Sequence, residues 1–197
     1  MKDLTPSCIA FSGAQRIAEG GLHAVAAVVK QWQEQHADSS VLIFDDQTSE
    51  PMEIDLRGTV QDVLSRLPEP LQPVAEPEPA VRTAGRPKLG VVSREVTLLP
   101  RHWEWLSKQS GGASVALRKL VEAASRANEI KDRQRQAQEA TYRFMSAIAG
   151  NLPGYEEATR ALFADQPEQF GMHTEAWPLD IREHARKLAL RTFLPQG

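Results

Sequence analysis

The first recurrent apolar pattern runs through Leu22, Val25, Ala26, Val28, Val29 and Trp32. Spacings of three and four place such residues on one face of an amphipathic helix. Before it stands a short strand-like run, Cys8-Ile9-Ala10-Phe11, and Gly20-Gly21 breaks the chain between the two. Val41-Leu42-Ile43-Phe44 reads as a buried strand, and Met52-Glu53-Ile54-Asp55-Leu56 alternates with period two. The polar stretch 45–51 between them predicts a hairpin loop. Thr59, with Asp62 three residues on, predicts a capped helix through Leu67. Strand, helix, hairpin and helix in that order make a small α+β unit.

The pattern then changes. Residues 68–79 hold Pro68, Pro70, Pro73, Pro77 and Pro79 among glutamates, a semi-rigid spacer or a ligand for a proline-reading domain. Residues 82–90 are basic and turn-rich. Residues 93–99 read as a strand ended by Pro100, which suits the first turn of a helix through Trp103 and Leu106. Gly111-Gly112 stops that helix. Ser114 is a good N-cap for the next, whose stripe is Leu117, Leu120, Val121 and Ala124. No Gly or Pro occurs from Ala113 to Ala149, so one long helix or two would fit. Tyr142, Phe144, Met145 and Ile148 restore apolar character at its end. A break at 150–154, a short helix over 156–164 and a last helix opened by Trp177-Pro178 complete the chain. In that last helix Trp177, Ile181, Ala185 and Leu188 form one apolar face, so the tail is expected to belong to the fold.

The expected fold is therefore α+β and mostly α. Its parts are a small sheet-plus-helix unit over 1–67, a Pro-rich then basic linker over 68–88, and a mainly helical part over 89–197. The helical part starts with a strand-helix-helix segment (89–128). The apolar fraction, 41%, is enough for a packed core and too high for general disorder. No apolar run is long enough to span a bilayer. Residues 1–7 lack the apolar core of a secretory signal, so a cytoplasmic address and no membrane partner are expected. A single cysteine, Cys8, excludes an intrachain disulfide and a cysteine-built zinc site.

Charge sharpens the division. Residues 1–81 carry 5 basic and 13 acidic residues, a balance of -8; residues 82–135 carry 12 and 5, a balance of +7. A positive middle beside a negative flank points to an anionic partner or to charge matching between segments. Catalytic constellations are sparse. Asp45-Asp46, with Glu50 and Glu53, has the chemistry to hold Mg²⁺ or Ca²⁺ but no known metal-loop spacing, and a solvated acidic turn is the plainer reading. Cys8 reads as an inert core thiol. His102 lies beside two tryptophans and reads as a packing residue, while His173 and His184 lack an adjacent acid and nucleophile. No cofactor is expected, and no enzyme chemistry is assigned. Trp103 and Trp105, two apart on a helix, cannot share a face, and one of them is expected in the core.

The segment 93–118, strand, Leu99-Pro100, helix, Gly111-Gly112, then Ala113-Ser114-Val115-Ala116-Leu117-Arg118, resembles the ribbon-helix-helix DNA-binding proteins. The resemblance implies a strand paired into a two-stranded ribbon in the major groove, and helix-terminal amides that hold a phosphate. Counting back from Leu99 by twos turns Thr97 and Glu95 inward; the opposite phase turns Val96 and Leu98 inward and presents Glu95 and Thr97 to the groove. Gly85-Arg86-Pro87-Lys88 is similar to the core of the AT-hook, a minor-groove reader, and fits a basic turn as well. On this reading Arg86, Lys88, Arg94, Arg101, Ser114, Arg118 and Lys119 contact DNA, and the chain pairs as a homodimer through its strand. The rival reading is a structural or protein-interaction module whose acidic first part docks on its basic second part.

Over most of its length the chain also resembles a bacterial domain-of-unknown-function family, number 2239. The resemblance is carried by Phe44-Asp45-Asp46, Asp55-Leu56-Arg57-Gly58, the run from Gly85 to Val92, the run from Arg94 to Leu106, Gly111-Gly112-Ala113-Ser114 and the run from Leu152 to Ala158. It implies no activity.

Overall fold

The computed structural model describes residues 7–68, 92 and 94–193. Ten elements follow in order: β1 (Ser7–Ser12), β2 (Gln15–Gly21), α1 (Leu22–Gln35), β3 (Val41–Asp45), α2 (Val60–Arg66), α3 (Pro100–Ser107), α4 (Gly112–Ile148), α5 (Tyr155–Phe163), α6 (Pro167–His173) and α7 (Leu179–Phe193). The chain is α+β and mostly helical. It falls into two compact units, residues 1–72 with 130–197, and residues 73–129. The sequence reading kept 89–197 together; in the structure the chain from Ile130 onward packs with the first segment instead.

In the first unit the sheet has the order β2-β1-β3, antiparallel throughout. Successive residues of β1 face opposite sides. Cys8 and Ala10 meet α1 through Leu22, Val25 and Val29, with Ile43 of β3. Ile9 and Phe11 enter the larger core with Phe44, Phe144, Met145, Ala158, Leu162, Phe170, Trp177, Ile181 and Leu188. The strand is buried on both faces because helices cover both, and it therefore reads as an unbroken apolar run. Three rings interlock at the centre: Phe144 lies 5.3 Å from Phe11 and 5.8 Å from Phe44. The tail helix closes this core, as its stripe predicts: Trp177, Ile181, Ala185 and Leu188 are all buried. The Trp177 indole N–H donates to the Pro153 carbonyl at 2.8 Å.

Several sequence expectations are met in detail. α2 carries the capping box, with Thr59 accepting from the Asp62 amide and the Asp62 carboxylate accepting from the Thr59 amide. The segment 112–148, for which one helix or two both fitted, is one uninterrupted helix of 37 residues. Others are corrected. Residues 52–56 form no strand; β3 pairs with β1 instead, and the loop is tied by the Phe44–Pro51 bridge and by the Met52 amide on the Ile43 carbonyl. β2 and α6 were not foreseen. β2 runs Gln-Arg-Ile-Ala-Glu-Gly-Gly, with too few apolar residues to stand out.

In the second unit, residues 94–99 lead into α3 without forming a strand. A strand exists only through a ladder partner, and no described residue of the chain supplies one. α4 begins at Gly112, so Ser114 lies inside its first turn and is not its N-cap. Gly111 and Gly112 sit at φ +86° and +76°, a region in which a side chain strains the backbone.

Candidate functional site

The second unit carries most of the residues that the sequence nominates. Arg94 is exposed on the extended lead-in. Arg101, the second residue of α3, is exposed, as are Ser114, Arg118 and Lys119 on the first turns of α4. Only two of these meet: the Arg118 Nε–H donates to the Ser114 carbonyl at 3.2 Å, a bond within one helix that holds Arg118 beside the helix start. Arg86 and Lys88 lie outside the described residues.

The apolar residues around these cations are as informative. Neither tryptophan of α3 is in a core: Trp103 is 43% and Trp105 51% exposed, and the buried residue of the helix is Leu106. The expectation that one tryptophan packs inside is therefore corrected; Leu106, one residue on, takes the inward position. Val96, Leu99, Leu120 and Val121 are also exposed. Leu98 is the least exposed residue of 94–99, while Val96, its partner in the phase that would turn both inward, is exposed. From Arg118 to Lys131 every residue of α4 is exposed, on all sides of the helix. Among the described residues of this unit, only Leu106 and Ala116 are buried.

The first unit holds a second polar constellation that the sequence hid. The Lys187 ammonium of α7 donates to Glu19 of β2 at 2.7 Å and to Asp46 at 2.8 Å. Arg16 donates to Glu19 at 3.0 Å, and its amide donates to Asp180 at 2.9 Å. Arg191 reaches the Gln47 carbonyl and Arg143 the Thr48 carbonyl. The 45–50 loop is thus pinned to α4 and α7. Asp45 organises that loop, accepting from the Gln47 and Thr48 amides at 2.9 and 2.8 Å. Asp46 is buried and paired and so departs from the solvated acidic turn expected, whereas Glu50 and Glu53 are exposed. Among the described residues no group of three His, Cys, Asp or Glu side chains is placed to hold a metal ion.

His184 lies beneath this network and is 1% exposed. Its ring stands edge-on to Phe144 at 4.6 Å and tilted to Phe11 at 5.9 Å, and neither ring nitrogen has a partner. Burial is the main reason that its pKa falls to about 4, with Lys187 and Arg16 adding to the effect against Asp46 and Glu19. The signal was present in the sequence: His184 sits three residues after Ile181 and four before Leu188, on the buried face of α7. Cys8 behaves as the inert thiol expected, buried with its pKa raised to about 11 by desolvation and then by Asp45 and Asp46.

A family model described as "Uncharacterized protein conserved in bacteria (DUF2239)" matches residues 7–189. The chain belongs to DUF2239. The DUF2239 match spans both units and takes in the Lys187 network as well as the basic helices. No curated protein and no solved structure matches the chain. The ribbon-helix-helix resemblance finds no support in these comparisons. No described helix is long and apolar enough to cross a membrane.

Proposed function

We propose that residues 92–129 form a DNA-binding element that works as a pair of chains. The observation that carries this reading is the surface of that unit. Val96, Leu99, Trp103, Trp105, Leu120 and Val121 are exposed beside Arg94, Arg101, Arg118 and Lys119, while only Leu106 and Ala116 among its described residues are buried. So small a unit cannot bury enough apolar surface by itself and needs a partner. A second copy supplies a ladder for residues 94–99 and a cover for the stripe on α4. The ribbon so formed enters the major groove. The first amides of α4, with Ser114, hold a phosphate, since a helix N-terminus favours negative charge. Arg101, Arg118 and Lys119 neutralise phosphates, and Arg94 lies at the start of the ribbon. By the resemblance of Gly85-Arg86-Pro87-Lys88 to the AT-hook core, Arg86 and Lys88 are proposed as minor-groove contacts.

The test is a gel shift of the full chain on random duplex DNA at low and moderate salt. Affinity should fall steeply with salt, because each phosphate contact releases counterions. Arg118→Ala should weaken binding about equally for all sequences, and Arg94→Ala should change base preference by about 1–3 kcal/mol at one base pair. A folded chain that shifts no DNA at low salt would sink the reading and leave a protein-interaction module. Sedimentation as a monomer at micromolar concentration would remove the pairing.

A further inference from the structure

The large core of the first unit contains one titratable group that its packing does not account for. Hydrogen bonds satisfy nearly all buried polar side chains, yet both nitrogens of His184 lack a partner inside a shell of Phe11 and Phe144. We propose that His184 makes α7 an acid-released latch, neutral and packed near pH 7, and ejected from the sheet when its imidazole takes a proton.

Burial makes the protonated form costly, and the nearby carboxylates of Asp46 and Glu19 only partly offset it. Phe11 of β1 and Phe144 of α4 offer no acceptor among their side chains. β2 contributes Arg16 and Glu19, the loop after β3 contributes Asp46, and α7 itself contributes Asp180, Glu183 and Lys187. Arg143 of α4 is turned to the Thr48 carbonyl. The nearest carboxylates are already committed: Glu19 and Asp46 both hold Lys187, and Glu19 also holds Arg16. An imidazolium would therefore face Arg16 and Lys187 together with two carboxylates that already hold them. The sign follows from linkage. The folded pKa, about 4, lies below the ordinary imidazole value of 6.5, so the unfolded form binds the proton more readily. The stabilisation is complete above pH 6.5 and is lost as pH falls toward 4.

The latch is expected to act selectively because the sheet separates two cores. α7 contributes Ile181, Ala185, Leu188 and Ala189 to the core that includes Phe144. The core between β1 and α1 uses Cys8, Ala10, Leu22, Val25, Val29 and Ile43, with none from α7. Release of α7 leaves that second core intact.

Hydrogen exchange of the full chain from pH 7.5 to 4.5, with rates corrected for their intrinsic pH dependence, tests this. Amides of α7 (Leu179–Phe193) should lose protection by ten-fold or more across the interval while those of α1 (Leu22–Gln35) keep theirs. His184→Phe, which fills the site with an uncharged ring, should hold the α7 protection constant. Equal loss in α1 and α7, or the same loss in a folded His184→Phe variant, would overturn the proposal. If the variant does not fold, the imidazole of the native chain is followed by NMR. A ring that stays neutral down to pH 5 supports the latch, and one that titrates near 6.5 in the folded protein overturns it.

Discussion

Lys187 holds two carboxylates at once, and one of them, Asp46, has little access to water. Removing the ammonium leaves that charge without its main compensation, which costs more than the pair contributes. Lys187 is itself partly exposed, so the loss is moderated by solvent. Lys187→Met should lower stability by about 1–2 kcal/mol in urea denaturation, and adding Asp46→Asn should recover part of it; no recovery would mean that the stem of Lys187, not its charge, matters. Cys8 offers a second test. With its pKa raised to about 11, the thiol has almost no nucleophilic thiolate at pH 8. Alkylation by iodoacetamide should be at least ten-fold slower in the folded chain than in urea, and equal rates would show that β1 opens readily.

Among the elements, α2 and α5 depend on local chemistry that a single substitution can remove. The Thr59 cap satisfies the Asp62 amide at the exposed start of a seven-residue helix. Thr59→Ala should cost about 1 kcal/mol, read as a lower thermal midpoint. α5 starts from Gly154 at φ +76°, where a Cβ would come within 2.8 Å of the His173 carbonyl oxygen. Gly154→Ala therefore combines left-handed strain with a backbone clash. It should destabilise by more than the ~1 kcal/mol of an ordinary glycine effect, and a neutral result would show that the α5–α6 junction can shift. The Thr59 cap is readable from the sequence, because its partner Asp62 is three residues away, whereas the His173 contact of Gly154 comes from the fold.

For the whole chain, the tail is a structural partner of the first strands. Trp177, Ile181 and Leu188 are buried in the same core as Ile9, Phe11 and Phe44, at about 1.5–3 kcal/mol for each large side chain removed from water. A chain ending at Gly171 should therefore unfold at a markedly lower urea concentration, since few domains have more than about 5–15 kcal/mol to lose. A truncated chain that melts like the full one would show that α7 is dispensable. The ion pairs point the same way: Glu19 of β2 has its carboxyl pKa held down first by the hydrogen bond from Lys187 of α7, so part of the stability present at neutral pH is lost in acid.

Apolar period and local punctuation were enough to reveal β1, α1, the capped α2, the stretch of α4 without Gly or Pro and the buried stripe of α7, because each depends on a pattern within a few turns of chain. They also exposed the positive segment and its candidate residues, Arg94, Arg101, Ser114, Arg118 and Lys119. Pairing was not legible. β3 joins β1 and not residues 52–56, since strand partners are chosen by which faces must be covered, and α1 on one side and α4 with α7 on the other decide that. For the same reason Asp46 looked solvated: Lys187, which holds it, lies 141 positions along the chain. His184 stood on the legible apolar face of α7, but the rings packed on it, Phe11 and Phe144, come from other elements, and such contacts between distant side chains are decided only by the tertiary fold.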